Sequence, residues 1–483
     1  MAPTLYMLWP SPPARAVLMA AKSLNLDLNL KEVDTTKGEN KTPEFIKINP
    51  QHTVPTLVDE DGFVLWDSHA IMTYLVSKYS KDDSLYPKDL KKRALVDQRL
   101  HFDNGVAFAL TLKILRPIIY HGVKTGVGQE EKNAIEEVYA FVEAFLEGRQ
   151  WIAGDSVTVA DYSLISTITT LNVLLKVDAS KYSRVAAWLQ RAETLPEYEL
   201  NKKGLDLFVA LLKSRLGYVR DFLHSSVQFT VLKISLAINL IIDKLLITKR
   251  INFVRPSSCA LALVQNTMAP ALYMVWASPP VRAVLMTAKS LDLDLDLKEI
   301  DLIKGEHKTP QFLKINPQHT VPTLVEDDGF VLWDSHAIMS YLVSKSSKDD
   351  SLYPKDLKKR ALVDQRLHFD SGVAFALALK ILRPIVYDGK KTVEQEEKDA
   401  IEEVYAFVET FLEGRRWIAG DSVTIADYSL ISTITSLNVL SKVDAAKYSR
   451  VAAWLQRAET LPEYEANKKG LDLFAALMKS ILG

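Results

Sequence analysis

One cysteine, Cys259, occurs in 483 residues, so no disulfide closes within the chain. That usage suits the reducing cytosol and leaves no material for zinc–thiolate sites, cysteine nucleophiles or CxxC redox chemistry. Long apolar runs are missing too: charged residues interrupt each one before the roughly 18 residues that a membrane span needs. Met1-Ala2-Pro3-Thr4 has neither the basic start nor the apolar core of a secretory signal. A cytoplasmic, membrane-free protein is therefore expected. Neither sign of charge is in excess, with 59 Lys and Arg against 60 Asp and Glu, which argues against nucleic acid as a partner. There is no GxGxxG and no P-loop to cradle nucleotide phosphates. The nine histidines, among them His52, His69, His101 and His121, show no metal-ligand spacing, and no metal is expected.

What is present is a repeat. Met1–Tyr120 aligns with Met268–Tyr387 at a constant offset of 267, with 20 differences over 120 positions. One residue is lost in the 121–132 loop, and the offset is 266 from there to Gly483. The units are residues 1–217 and 268–483, too long for solenoid repeats of about 20–50 residues, so each must fold around its own core. Residues 218–267 have no counterpart and hold the only cysteine and apolar runs such as Ile234–Ile242. The second unit opens on its own Met-Ala-Pro. Two neighbouring genes joined into one reading, with 218–267 as translated spacer, would give this pattern; a true fusion is the alternative.

Within the first unit, Leu5–Trp9 has β character, and Pro12-Pro13 leads into a helix through Val17, Leu18, Ala21 and Leu24. Leu26–Val33 alternates as a half-exposed strand should. A short helix at Pro43–Ile48 precedes strands at Thr56–Val58 and Phe63–Trp66, joined by an Asp61-Gly62 turn. Ser68 opens a further helix. From Pro87 onward the spacing predicts only helices: Lys88–Ile119, Gln129–Glu147, Ala160–Leu175, Lys181–Thr194 and Gly204–Leu216, punctuated by Gly148, Gly154 and Pro196. The fold class is α+β: a small mixed-sheet domain at 1–80 and an all-helical domain at 87–217, repeated at 268–347 and 354–483.

Three groups of residues are candidates for chemistry, and a fourth reads as structural. Ser11, before Pro12-Pro13-Ala14-Arg15, and its partner Ser278 sit between the first strand and the positive end of the first helix dipole. There a hydroxyl could steady an anion; it could equally cap the helix, a contribution of about 1 kcal/mol. Val54-Pro55, inside Asn49-Pro50-Gln51-His52-Thr53, precedes a strand, where either a trans proline or a cis peptide that turns backbone groups toward a ligand would fit. Asp67-Ser68-His69, at a helix start, offers amides for a carboxylate and an acid for an ammonium group, or simple capping. Thr158 with Asp161, and Thr424 with Asp427, read as capping boxes that serve folding. Phe102, Phe108 and Arg116 share a helix with Tyr120.

Taken together, SPPxRAVLM, KINPQHTVPTL, WDSHAI, LYPKDLKKRALVDQRL and WIAGDSxTxADYS resemble the cytosolic glutathione transferases of the insect delta/epsilon group, WDSHAI leaning toward epsilon. The similarity covers both units and omits only 218–267. It implies a thioredoxin-like N-terminal domain that binds glutathione and a helical domain that completes a hydrophobic site. On that pattern Ser11 and Ser278 are the catalytic serines, donating a hydrogen bond to the glutathione sulfur. His52 and His319 fall near its glycyl end, and Val54 and Val321, ahead of cis-Pro55 and cis-Pro322, along its cysteinyl backbone. Asp67-Ser68 and Asp334-Ser335 match the γ-glutamyl clamp, where many relatives have Glu-Ser, and the adjacent His69 and His336 are counted with the glutathione-binding residues. Phe108, Arg116 and Tyr120, with Phe375, Arg383 and Tyr387, are candidates for the hydrophobic site.

The resemblance implies conjugation of the glutathione thiolate to hydrophobic electrophiles such as insecticides or lipid-peroxidation products. A non-catalytic binding protein, or glutathione-dependent isomerase or peroxidase activity at the same site, would use the same residues. One departure is visible: the GEH motif is intact at Gly305-Glu306-His307 but reads Gly38-Glu39-Asn40 in the first unit. Weaker glutathione binding is expected there. Two-fold pairing is also implied, within or between chains. A 50-residue tether, taken as a flexible coil, spans roughly 35–40 Å.

Overall fold

The computed structural model describes residues 2–216 and 269–483. The expectations for the spacer, including Cys259 and Ile234–Ile242, lie outside the described residues. The first copy begins β1 (Thr4–Met7), α1 (Pro12–Ser23), β2 (Asn29–Glu32), α2 (Pro43–Ile48), β3 (Thr56–Val58), β4 (Val64–Trp66) and α3 (Ser68–Tyr79). The helical part follows as α4 (Leu90–Phe102), α5 (Ala109–His121), α6 (Gln129–Phe145), α7 (Val159–Leu174), α8 (Ser183–Ala192) and α9 (Tyr198–Leu216). The second copy repeats this order from Ala271–Met274 to Tyr464–Leu482.

The sheet order is β2-β1-β3-β4, with β1 parallel to β2 and antiparallel to β3, and β3 antiparallel to β4. The strand expected over Leu26–Val33 shortens to Asn29–Glu32, all four residues exposed; at a sheet edge the alternation has no second layer to cover it. Leu5, Met7, Leu57 and Leu65 are fully buried beneath Ala16, Val17, Ile71 and Leu75 of α1 and α3.

Two expectations for the helices need correction. The helix foreseen over Lys88–Ile119 is interrupted by a π-helical turn at Asp103–Phe108. Apolar spacing on both sides keeps step, so periodicity gives no sign of the extra residue that such a bulge accommodates. Gly204, expected to start a helix, lies inside α9. A Cβ there would fall 2.4 Å from both Trp9 O and Arg15 Cδ, so glycine is required by close approach and not by a helix boundary.

Arg15 explains that approach. Its fully buried guanidinium donates to Asn201 Oδ1 at 2.7 Å, to the Ser166 carbonyl at 2.9 Å and to Thr170 Oγ1. One α1 side chain thus fastens the sheet domain to α7 and α9. Burial pushes its pKa down to about 9 against a small opposing influence from Tyr198. Arg282 repeats the arrangement with Asn467, Ser432 and Ser436.

The two copies pack against each other through a reciprocal surface. α3 of the first copy lies on residues 357–369 of the second, and α4 on residues 335–346. Gln98 Nε2 donates to the Trp333 carbonyl at 3.0 Å, and Gln365 Nε2 to the Trp66 carbonyl at 3.0 Å. The Arg99 guanidinium lies 5.5 Å from the Trp333 ring centre, and that of Arg366 5.6 Å from Trp66. Lys91 pairs with Asp328, and Lys358 with Asp61. Each contact has its mirror, the signature of a two-fold.

Candidate active site

The sheet register brings the sequence motifs together. Tyr6, Thr56 and Trp66 stand opposite one another across β1, β3 and β4. Ser11 follows β1, Val54-Pro55 precedes β3 and Asp67-Ser68 follows β4. Because β3 runs against its neighbours, all three segments emerge at the same end of the sheet, where α1 and α3 also begin. The positive ends of two helix dipoles therefore meet there. Tyr273, Thr323 and Trp333 form the same row in the second copy.

Ser11 holds the N-cap position of α1 in extended backbone, φ −70° and ψ 121°, but its side chain makes no capping bond; Ser278 is alike. The backbone cap is present and the hydroxyl is not committed to it. The Val54–Pro55 and Val321–Pro322 peptides are cis. The β-ladder starts only at Thr56, so it does not use the Val54 backbone. Asp67 and Asp334 sit at φ 71°, a conformation uncommon outside glycine. The Asp67 carboxylate accepts from the amides of His69 (2.9 Å) and Ala70 (3.2 Å). Capping thus fixes Asp67 while Ser68 sits buried beside it.

His69 and His336 are 2% exposed and turn into the seam between the copies. His69 Nδ1 lies 3.1 Å from Asp67 and Nε2 3.3 Å from Asp103; His336 bridges Asp334 and Asp370 at 3.0 and 3.2 Å. Any part they take in binding passes through Asp67 and Asp334. The rings stack across the seam in the order His69–His368–His101–His336, at 4.7, 4.1 and 4.5 Å. Burial opposes charge on His69, yet Asp67 and Asp103 outweigh it and lift its pKa to about 9; Asp334 and Asp370 lift His336 to about 10 against the same burial. Burial, with cationic neighbours, holds His101 and His368 well below the ordinary histidine value.

Sequence spacing misses this cluster because it forms only across the two copies. Among the described residues, donor atoms of Asp67, His69 and His368, and of His101, Asp334 and His336, come within 4.8 Å of one another. Stacked imidazoles keep their lone pairs in separate, nearly parallel planes, an arrangement for aromatic contact more than for convergence on one ion.

His52 has φ 45°, and its carbonyl accepts from Asn40 Nδ2 at 2.7 Å. In the second copy His307 replaces Asn40; its buried Nδ1 has no partner among the described residues, and its ring lies 6.0 Å from His319. Burial lowers the pKa of both His307 and His319, favouring their neutral forms, and the copies differ here in hydrogen bonding. Each site also touches the other copy: Phe407 packs 6.1 Å from His52, and Phe141 6.0 Å from His319. Sequence reasoning passed over both phenylalanines, which read as ordinary apolar positions of α6 and its counterpart.

Phe108, Arg116 and Tyr120 share one face at four-residue intervals, with Leu112 between them. This face is half-buried or exposed while Thr111, Ile114, Leu115 and Ile118 fill the core. Phe375, Arg383 and Tyr387 repeat the stripe. Tyr120 OH lies 2.8 Å from Thr35 Oγ1, tying the loop after β2 to the helical domain. Leu302 stands at the position of Thr35, and its neighbour Ile303 is 74% exposed. Asp161 accepts from Ile152 N at 2.8 Å, Thr158 N at 2.9 Å and Trp188 Nε1 at 3.0 Å, and Asp427 from the corresponding groups. The capping boxes are formed.

The architecture is a thioredoxin-like domain with a cis-proline and a serine at one end of its sheet, backed by a helical domain. The sequence matches the family described as Glutathione S-transferase, N-terminal domain, over 10–78 and 277–345, and Glutathione S-transferase, C-terminal domain, over 107–196 and 364–462. These spans take in more than half the chain, which belongs to the glutathione S-transferase family, twice over. It is similar to glutathione S-transferase 1 of Manduca sexta, 46% identical over 217 residues, 44% of this chain and 99% of that protein. Glutathione S-transferase D7 of Anopheles gambiae is 40% identical over 220 residues, 45% of this chain and 99% of its own. Among solved structures, an epsilon-class enzyme from the housefly Musca domestica is 48% identical, covering 44% of this chain and 97% of its own, with TM-score 0.43. A Drosophila mojavensis homologue with bound glutathione is 53% identical with the same coverage and TM-score. Among the described residues no helix is long and apolar enough to cross a membrane.

Proposed function

We propose that each copy is a working site that conjugates the thiolate of glutathione to apolar electrophiles, in the cytoplasm and without a metal. A free thiol has a pKa of about 8.5, and lowering it by two units takes roughly 2.7 kcal/mol of preference for the anion. Ser11 or Ser278 Oγ supplies one hydrogen bond to the sulfur, and the start of α1 or its counterpart supplies favourable dipole. Val54 and Val321 hold the cysteinyl backbone. Asp67-Ser68 and Asp334-Ser335 hold the γ-glutamyl end, and His52 and His319 the glycyl end. The serine attacks nothing; it steadies the sulfur anion while the electrophile lies along the Phe108–Arg116–Tyr120 face or its counterpart. Insecticides and lipid-peroxidation products fit that apolar requirement.

The observation that supports this reading most strongly is the convergence of an uncommitted serine hydroxyl, a cis-proline and a capped aspartate at one end of the sheet. Conjugation of a chloronitroarene by the full chain tests it. Ser11→Ala and Ser278→Ala should each silence one site. Together they should cut turnover by about 100-fold and raise the apparent pKa of the bound thiol. An unchanged pH–rate profile in the double variant removes serine from the role, and binding without turnover in the unaltered chain favours a sequestering protein.

The two sites differ. Asn40 spends its amide on the His52 carbonyl, so the chain that keeps only Ser11 should show the higher KM for glutathione. Equal KM values in the two single-serine variants would refute that difference.

A further inference from the structure

The pseudo-two-fold between the copies passes beside a position where they differ. Residue 104 is Asn and its counterpart 371 is Ser, within the otherwise identical stretches His-Phe-Asp-x-Gly-Val-Ala. Asn104 Nδ2 donates to the His368 carbonyl at 2.7 Å and to Ser371 Oγ at 3.1 Å, and His101 Nδ1 lies 3.2 Å from the same Oγ. Both side chains are buried, Asn104 at 8% and Ser371 at 7% exposure. A Cβ on Gly372 would fall 2.5 Å from Asn104 Oδ1, and one on Gly105 3.2 Å from the Ser371 carbonyl. The seam is closed here to the limit of backbone approach.

We infer that this Asn–Ser step is a pairing device, which makes the first copy accept the second in preference to another first copy. The two-fold that sets 104 against 371 would, in a like-with-like pair, set 104 against 104 or 371 against 371. In a first-copy pair, a second carboxamide carbon would occupy the place of Ser371 Oγ, already 3.1 Å from the opposing amide nitrogen. Its two further heavy atoms would enter space that amide fills, and overpacking of this kind is destabilising. In a second-copy pair two serines would leave a gap and forfeit both bonds of the carboxamide, to the opposing His368 carbonyl and to Ser371 Oγ, leaving that carbonyl only the weaker 3.3 Å contact from Ser371 Oγ of its own copy. Of the three pairings only the mixed one sets a large side chain against a small one. The preference adds to the high local concentration that a tether gives. Every assembled molecule then carries one Asn40-type and one His307-type site.

The flanking sequence is the same on both sides, so exchanging the two residues should restore the fit with its direction reversed. In the full chain, N104S and S371N should each lower the thermal unfolding midpoint by at least about 2–4 °C, the shift expected when about one net hydrogen bond is lost in domains of this size. Because S371N sets asparagine against asparagine whether the copies pair within or between chains, light scattering should still report the 54.3 kDa chain mass and the loss should appear in the midpoint. The exchange N104S/S371N should return the midpoint to that of the unaltered protein. That includes the case in which a single variant fails to fold and the exchange does fold. Singles indistinguishable from the unaltered protein, or an exchange whose loss equals the sum of the singles, would overturn the inference. Neither outcome depends on whether the sites turn over.

Discussion

At the residue scale, the structure separates side chains that build the site from those that hold it. Ser11 was open to two readings, helix cap or anion donor, and its backbone adopts the first while its hydroxyl remains available for the second. Asp161 has three amide or indole donors on a fully buried carboxylate, and burial still raises its pKa to about 6. Asp161→Ala would strand those donors and should cost about 3 kcal/mol or more, read by denaturant unfolding, with KM for glutathione unchanged in the folded fraction. A change confined to catalysis would contradict this. Thr35 offers a second residue-scale case. Tyr120→Phe removes the bond that ties the loop after β2 to α5, whereas Tyr387→Phe removes nothing equivalent because Leu302 carries no hydroxyl. Only the first substitution should shift the preference of its site among electrophiles of different size, measured in chains that keep a single serine.

At the scale of elements, the sequence was most legible where chain punctuation is chemical. Pro12, Pro55, Asp67 and the Asp61-Gly62 turn marked strand ends, and the strand register then carried them to one place. It was least legible where geometry depends on neighbours. The π-helical turn at 103–108 leaves the apolar spacing intact, and the edge strand loses its expected buried face because nothing covers it. Gly204 looked like a helix start, yet its reason is the passage of Trp9 and Arg15 across α9. Gly204→Ala should therefore displace α1 from α9 and cost about 1–3 kcal/mol by overpacking; helix propensity alone would favour alanine by about 1 kcal/mol. An unfolding measurement decides the sign.

At the scale of the whole molecule, the repeat announced two folded units, but the seam between them could not be read from either. Four histidines spread along the chain meet in one stack because the copies face each other. His69 and His336 keep protons in the folded state to about pH 9 and 10, whereas unfolded histidines release them near 6.5. The stability this gives is complete below about pH 6.5 and is lost as pH rises through the folded values. Each proton contributes a slope of about 1.4 kcal/mol per pH unit in between. Chemical unfolding from pH 7 to 10 should show that decline, and His69→Gln with His336→Gln should flatten it. A profile as steep without the two histidines would assign the protons elsewhere.

Phe141 leaning on His319, and Phe407 on His52, mean that each candidate site takes one aromatic contact from the other half. For an ordinary pair of subunits such a contact would thin out as the solution is made more dilute. Here the lender is covalently attached, so specific activity should hold constant down to nanomolar enzyme, and a single proteolytic nick between residues 217 and 268 should make it fall with dilution.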